Sequence, residues 1–113
     1  MKGTIKAKEE ISELFRTGKR VNTALVAALV CTELPERGPG GRVAFVAGKK
    51  LGCAVTRNRC KRVMREAVRA CGGPWDGYRV VFIARNSRVA EVSPSQLAEA
   101  VGSIVARSIE VEG

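Results

Sequence analysis

The clearest pattern of apolar and polar positions lies between Thr56 and Cys71, in the segment TRNRCKRVMREAVRAC. Apolar residues recur there every three or four positions, as they do on one face of a helix; they are Cys60, Val63, Met64, Ala67, Val68 and Cys71. The opposite face contains Asn58, Arg62, Arg65 and Arg69, flanked by Arg59 and Lys61, with Glu66 as the one acid. The pattern predicts a helix that buries one face and offers a basic face to a polyanion. Thr56 is its predicted N-cap, and Gly72 is predicted to end it.

Two further helices are predicted at the ends of the chain. One extends from Lys8 to Thr17 and ends at Gly18. The other begins at Ser93, where the sequence Ser-Pro-Ser-Gln combines a capping box with proline at the first helical position. Its apolar face comprises Leu97, Val101, Ile104 and Val105, with Ser108 in the same line.

Extended segments lie between these helices. Residues 21–32 are rich in Val, Ala and Leu and predict one strand, although a buried helix would suit the same composition. Residues 42–47 alternate strictly and predict a second strand, in a hairpin with the first. That alternation places Val43, Phe45 and Ala47 on one face of the strand and Arg42, Ala44 and Val46 on the other.

The remaining extended segments flank the basic helix. Residues 49–55 predict a short third strand that leads into the helix, and residues 78–84 have the strongest β-propensity in the chain. A strand, a helix and a returning strand make a β-α-β unit.

The net charge of +9 over 113 residues is concentrated in one place. Residues 47–71 contain eight basic residues and one acidic residue, whereas residues 89–113 contain four glutamates and one arginine. An ordinary solvated helix face would alternate acids with bases, so phosphate binding explains the basic face better. Charge alone does not decide whether the ligand is RNA or DNA. No helix precedes the basic one at helix-turn-helix spacing, however, and this disfavours binding in the major groove of DNA.

Size and residue content limit the other possibilities. The length predicts a single domain over residues 1–113, and the absence of a long apolar run or signal peptide predicts a cytoplasmic protein that does not enter membranes. With no histidine, no paired carboxylates and no nucleophile beside a base, we expect no catalytic residue in the polypeptide. The cysteine spacing gives no metal site, and the sequence predicts buried thiols at Cys31, Cys53, Cys60 and Cys71.

The segment KKLGCAVTRNRCKRVMREAVR, from Lys49 to Arg69, resembles the central block of the bacterial ribonuclease P protein component. The segments LFRTGKRV, RVAFVAGKK and VVFIAR stand around it in the order of that family. The resemblance covers nearly the whole chain, from Lys8 to Ala106.

This resemblance implies an α+β fold of order α-β-β-β-α-β-α, in which the basic helix forms a left-handed β-α-β crossover on a mixed four-stranded sheet. It also implies an accessory subunit whose partners are the ribonuclease P RNA and precursor tRNA, with no small-molecule substrate. The RNA would perform the Mg²⁺-dependent hydrolysis that removes the 5′ leader, and the polypeptide would bind no cofactor of its own. A noncatalytic ribosomal or RNA-chaperone module is the alternative, and a DNA-binding regulator is a more distant one.

The resemblance also assigns residues. Contacts to the catalytic RNA are expected from Arg57, Asn58, Arg59, Lys61, Arg62 and Arg65, and the basic face adds Arg69. Contacts to the leader are expected from Phe15, Phe45, Lys49, Lys50 and Ile11. On its residue type alone, Phe15 is more often a core residue than a ligand contact. Ile11 stands where the family usually has a phenylalanine, and Val46 and Gly48 stand where serine is common, so leader binding here is expected to depend more on charge.

Overall fold

The computed structural model describes residues 4–5, 8–34, 36 and 40–109. Its helices are α1 (Lys8–Thr17), α2 (Ala54–Ala70) and α3 (Pro94–Ser108), and its strands are β1 (Lys19–Asn22), β2 (Val26–Thr32), β3 (Arg42–Val46) and β4 (Tyr78–Ala84). Short 3₁₀ turns follow β3 at Lys49–Leu51 and β4 at Ser87–Ala90. The element order α-β-β-β-α-β-α implied by the resemblance is confirmed. None of the helices formed by these residues is both long enough and apolar enough to cross a membrane.

The four strands form one mixed sheet in the order β1-β2-β4-β3. The pairs β1–β2 and β2–β4 are antiparallel, whereas β3 and β4 are parallel. Two neighbouring parallel strands need a crossover, and α2 supplies it. A β-α-β unit is therefore present, but its first strand is β3 and not the predicted segment over residues 49–55. The left-handed sense of that crossover stays a prediction.

The prediction of a single strand over residues 21–32 is wrong, because β1 and β2 form a tight hairpin within that stretch. Thr23 makes the turn: its amide donates to the carbonyl oxygen of Val26 at 2.8 Å, and its hydroxyl contacts the same oxygen and the amide of Val26. The turn contains neither glycine nor proline, so the usual sequence signals for a turn are missing. A threonine side chain takes their place.

The predicted hairpin between residues 21–32 and 42–47 is also wrong. β4 lies between β2 and β3, and β3 is placed at the edge of the sheet. Both edges of β4 are paired in this position, and its apolar side chains are buried on both faces of the sheet: Val80 and Phe82 on one face and Val81 on the other.

The segment over residues 49–55 is not a third strand. The 3₁₀ turn is followed by Gly52 at a φ of 124°, a left-handed conformation that favours glycine, and α2 begins at Ala54. Cys53 is therefore the N-cap, and the predicted N-cap Thr56 lies inside the first turn. The predicted end is confirmed, since α2 stops at Ala70 and Gly72 has a φ of 88°. The capping box at Ser93 is confirmed as well.

Helices cover the two faces of the sheet unequally. On one face, α2 and α3 pack over Val80 and Phe82, and Trp75 enters the core from its loop with its ring 6.0 Å from that of Phe82. On the other face, which we call the α1 face, Leu14 packs against a smaller cluster formed by Ile5, Leu29, Ala44 and Val81. The alternation predicted for β3 is confirmed: Val43, Phe45 and Ala47 belong to the α2 side, and Ala44 and Val46 to the α1 face.

The four cysteines are free thiols with different environments. Cys60 is buried, Cys31 and Cys71 are half-buried, and Cys53 is exposed, so the prediction of buried thiols is wrong for Cys53. Its position as the N-cap of α2 explains both its exposure and its lowered pKa, which results first from the hydrogen bond with the backbone of Thr56.

Four buried charges connect α1 to the sheet. Arg42 binds Glu33 through its Nε at 2.7 Å and binds Glu10 through its Nη1 at 2.9 Å. Arg79 binds Glu10 at 3.0 Å and donates from its Nε to the carbonyl oxygen of Thr32 at 3.0 Å. The four charged side chains are between 2% and 11% exposed. We call this set, Glu10, Glu33, Arg42 and Arg79, the charge cluster.

The charge cluster makes stability depend on acid. Burial would raise the pKa of Glu10, but the hydrogen bonds from Arg42 and Arg79 outweigh it, so the pKa of Glu10 is lowered. The hydrogen bond from Arg42 likewise lowers the pKa of Glu33 against its burial. A carboxylate with a lowered pKa binds fewer protons in the folded than in the unfolded state. Its stabilising contribution is therefore full above the unfolded pKa of about 4.3 and is lost as the pH falls through the folded value.

We predict that Glu10→Gln lowers the free energy of unfolding by about 1 to 3 kcal/mol at pH 7, because two buried guanidinium groups lose a charged partner. Urea unfolding at pH 7 and at pH 3 measures this, and the deficit should shrink at pH 3, because that pH lies below the unfolded pKa and proton binding then favours the unfolded chain of the original protein. Glu9→Gln is the matched control, since Glu9 is its exposed neighbour on α1. An equal deficit at both pH values, or an equal effect of Glu9→Gln, would contradict the assignment.

Candidate nucleic-acid interface

The outer face of α2 is the largest concentration of unpaired cations in the described part of the chain. Cys60, Met64, Ala67 and Val68 are buried on the inner face, which confirms the predicted two-faced helix. We call the outer set, Asn58, Arg59, Lys61, Arg62, Arg65 and Arg69, the basic stripe. Asn58, Arg59, Arg62 and Arg69 are exposed, and Lys61 and Arg65 are half-exposed.

Among the described residues, no acidic side chain forms an ion pair with the basic stripe. Every ion pair among residues 4–5, 8–34, 36 and 40–109 involves Arg42 or Arg79 of the charge cluster. Glu66, the one acid on α2, is exposed and forms no ion pair there. Like charges on one helix face repel and destabilise the helix, so this arrangement favours a bound polyanion that compensates them.

Two arginines of the basic stripe are held in place by uncharged partners. The Nε of Arg59 donates to the carbonyl oxygen of Ala90 at 2.8 Å. The guanidinium carbon of Arg65 lies 5.5 Å from the ring centroid of Phe45, a cation–π geometry. Both contacts orient a guanidinium group without cancelling its charge. Arg57 is different, because it is half-buried and its Nε is enclosed without a hydrogen-bond partner among the described residues.

A second candidate surface lies on the α1 face of the sheet. Ile11 and Phe15 are one helical turn apart on α1 and therefore lie on the same side of it. Ile11 packs on the same cluster as Val46 and Ile83, and all three are half-exposed. Phe15 is 48% exposed, so the interpretation of Phe15 as a core residue is wrong. We call Ile11, Phe15, Val46 and Ile83 the open sheet face.

Phe45 does not join this surface. It lies on the α2 side of the sheet, where its ring stacks on that of Phe82 at a centroid distance of 6.0 Å and beneath Arg65. The structure therefore brings Ile11 and Phe15 together but separates both from Phe45. Lys49 and Lys50 are exposed in the 3₁₀ turn just beyond β3.

Sequence reasoning did not assign Ile83 or Arg85 to either surface, and it named Val46 only as a position where serine is common. Val46 and Ile83 belong to the open sheet face, and the alternation of β3 already indicated that Val46 lies opposite Phe45. Arg85 follows β4, is exposed, and donates to the carbonyl oxygen of Thr23 at 2.7 Å. Its backbone amide donates to the carbonyl oxygen of Leu25 at 3.0 Å, so Arg85 continues the antiparallel pairing of β4 with β2, which the sequence pattern did not predict.

Within the described ranges, no three cysteine, aspartate or glutamate side chains are grouped as metal ligands would be. The prediction that the polypeptide has no metal site of its own stays a prediction.

The family model described as Ribonuclease P matches residues 2–108. The chain belongs to the ribonuclease P protein family. The resemblance inferred from the sequence is thereby confirmed, and with it the role of an accessory subunit in an endoribonuclease.

Individual members of the ribonuclease P protein family agree with this assignment. The ribonuclease P protein component of Dehalococcoides mccartyi is 33% identical over 101 residues, which cover 89% of this chain and 80% of the relative. The ribonuclease P protein component of Symbiobacterium thermophilum is 40% identical over 87 residues, which cover 74% of this chain and 71% of the relative.

The fold is shared with solved structures. The RNase P protein from Thermotoga maritima has a TM-score of 0.78 at 24% identity and covers 97% of this chain and 98% of its own. The Staphylococcus aureus RNase P protein has a TM-score of 0.78 at 20% identity and covers 95% of both chains. These structural similarities confirm the α+β architecture with its four-stranded mixed sheet.

We predict that Phe15→Ala lowers the free energy of unfolding by less than about 1 kcal/mol, because about half of the side chain already contacts water. The same truncation at the fully buried Phe82 should cost about 3 to 5 kcal/mol. Urea unfolding of the two variants gives the comparison. Similar losses would mean that Phe15 is a core residue after all.

Proposed function

We propose that the basic stripe binds the catalytic RNA of ribonuclease P and that the open sheet face binds the 5′ leader of precursor tRNA. The observation that carries this proposal is the row of exposed, uncompensated cations on a helix whose other face is buried. Each phosphate that such a cation neutralises releases condensed counterions, which favours binding. Arginine can also hold two phosphate oxygens at once.

The catalytic-RNA surface comprises Arg57, Asn58, Arg59, Lys61, Arg62, Arg65 and Arg69. Asn58, Lys61, Arg62 and Arg69 are proposed to contact phosphate or ribose directly. Their side chains have no hydrogen-bond or ion-pair partner among the described residues, which supports this. Arg59 and Arg65 are supported by the fixed orientation of their guanidinium groups. Holding them in place before binding reduces the conformational entropy that binding costs.

The leader surface comprises Ile11, Phe15, Lys49 and Lys50, with Val46 and Ile83 beneath. Phe15 offers an exposed ring on which a base can stack, a contact worth about 1 to 3 kcal/mol in single-strand binding proteins. Ile11 offers apolar contact without stacking, so the two lysines contribute a larger share of the affinity. Phe45 is proposed to act indirectly, by orienting Arg65 toward the catalytic RNA.

In this proposal the polypeptide positions RNA and performs no chemistry. Mg²⁺ bound to the catalytic RNA supplies the hydrolytic chemistry. The cations of the protein reduce repulsion between the phosphates of the two RNAs, which lowers the concentration of Mg²⁺ needed for their association. An RNA enzyme and precursor tRNA as partners imply a cytoplasmic location.

Reconstitution tests the proposal. Mixed with the cognate ribonuclease P RNA and a precursor tRNA at low Mg²⁺, the protein should stimulate 5′ cleavage, and a substrate without a leader should bind less tightly. Phe15→Ala should reduce the difference between the two substrates, and Lys49→Ala/Lys50→Ala should reduce it more. A ribosomal or RNA-chaperone module would instead bind the RNAs without stimulating cleavage, and that result would overturn the proposal.

The double variant Arg62→Ala/Arg65→Ala tests the basic stripe itself. It should bind the catalytic RNA more weakly, and the slope of log affinity against log salt should become shallower by about 1 to 2 units, because fewer counterions are released. Filter binding over a series of salt concentrations measures the slope. Glu99→Gln on α3 changes charge far from the stripe in sequence and should leave the slope unchanged. If the double variant keeps the original slope, the RNA surface lies elsewhere.

A further inference from the structure

Val55 is the most exposed large apolar residue in the described part of the chain, at 77% exposure. The one other large hydrophobic side chain that is exposed there is Phe15, which belongs to the open sheet face. Val55 lies in the first turn of α2, one turn before Asn58 and Arg59 and two turns before Arg62. Val55 therefore lies on the side of α2 that carries the basic stripe and not on the side that faces the core.

A shallow notch on the protein surface is lined by Val55, Asn58, Arg59 and Arg62. One wall is apolar, and the others offer an amide and two guanidinium groups. A nucleotide has the complementary composition, because its base is flat and apolar on its faces and its phosphate is anionic. A contact made by charge alone would not need the valine. A wholly apolar partner would bury two arginines that have no ion-pair partner among the described residues, which is costly.

We propose that Val55 is an apolar contact for an unpaired nucleobase of the catalytic RNA, whose phosphates lie on Asn58 and Arg62. This inference rests on the proposed function and adds to it a contact that salt does not screen. Bases in an A-form duplex present their edges and not their faces, so the contact requires a nucleotide in a loop or junction. Val55 thereby distinguishes folded RNA with exposed bases from plain duplex.

Val55→Ala tests the inference without threatening the fold. The side chain is mostly in water, and alanine favours a helix more than valine does, so the variant should fold as well as the original protein. Its dissociation constant for the cognate ribonuclease P RNA should rise about three- to tenfold, since the buried apolar area is small. The salt slope should stay unchanged, because no charge is removed. For a plain RNA duplex, affinity should not change at all.

Matched variants separate the possible outcomes. Val55→Thr keeps the shape and should also weaken binding to the catalytic RNA, and Ser103→Ala on α3 should not. Arg62→Ala, in the same notch, should weaken binding to both RNAs and make the slope shallower by about 1 unit. If Val55→Ala binds like the original protein while Arg62→Ala is weakened, the inference fails and the proposed function stands. A shallower slope for Val55→Ala would mean that valine acts through the arginines, and this also overturns the inference. If neither variant is weakened, both the inference and the proposed RNA surface fail.

Discussion

The charge cluster is the interaction on which the arrangement of both surfaces depends. Arg42 is the first residue of β3 and Arg79 the second of β4, so their bonds to Glu10 fix α1 over the beginnings of these two parallel strands. On the α1 face, the ends of the same strands carry half-buried side chains, Val46 and Ile83. The open sheet face stays uncovered beside α1 because the buried charge pairs hold α1 over the other end of these strands. Because an unpaired buried charge is costly, α1 has little freedom to slide over that area.

Arginine has two opposite roles in this fold, and its partners distinguish them. In the charge cluster, carboxylates neutralise Arg42 and Arg79, which raises the pKa of Arg42 and stabilises the tertiary structure. On α2, a carbonyl oxygen orients Arg59 and an aromatic ring orients Arg65, and neither removes the positive charge. A guanidinium group that is already oriented and still charged suits an anionic ligand, because less side-chain entropy is lost when the ligand binds. Glu10 and Glu33 thus pair with arginines in the interior, and the positive charges on the outer face of α2 have no ion-pair partner among the described residues.

The sequence predicted the parts that depend on local pattern and missed those that depend on distant contacts. The helices and the faces of α2 and β3 follow from periodicity, which is a property of neighbouring residues. The β1–β2 hairpin was missed because Thr23 makes its turn without glycine or proline. The position of β4 between β2 and β3 depends on burial from both sides. The resemblance grouped Phe45 with Phe15, and local alternation cannot decide which face of the sheet α1 covers. The bond between Glu10 and Arg42, 32 residues apart, decides that.

The parallel pairing of β3 and β4 also relates the two proposed surfaces to each other. Parallel strands end at the same edge of a sheet, and β3 continues through Lys49 and Lys50 directly into α2. A leader strand on the open sheet face and a catalytic RNA on the basic stripe would therefore approach each other at these two lysines. The phosphates of the two RNAs would repel each other there unless cations neutralise them. Either the two lysines or Mg²⁺ can supply that positive charge. The contribution of the protein should consequently be largest when divalent cations are scarce, because that is when the repulsion is least neutralised by other means.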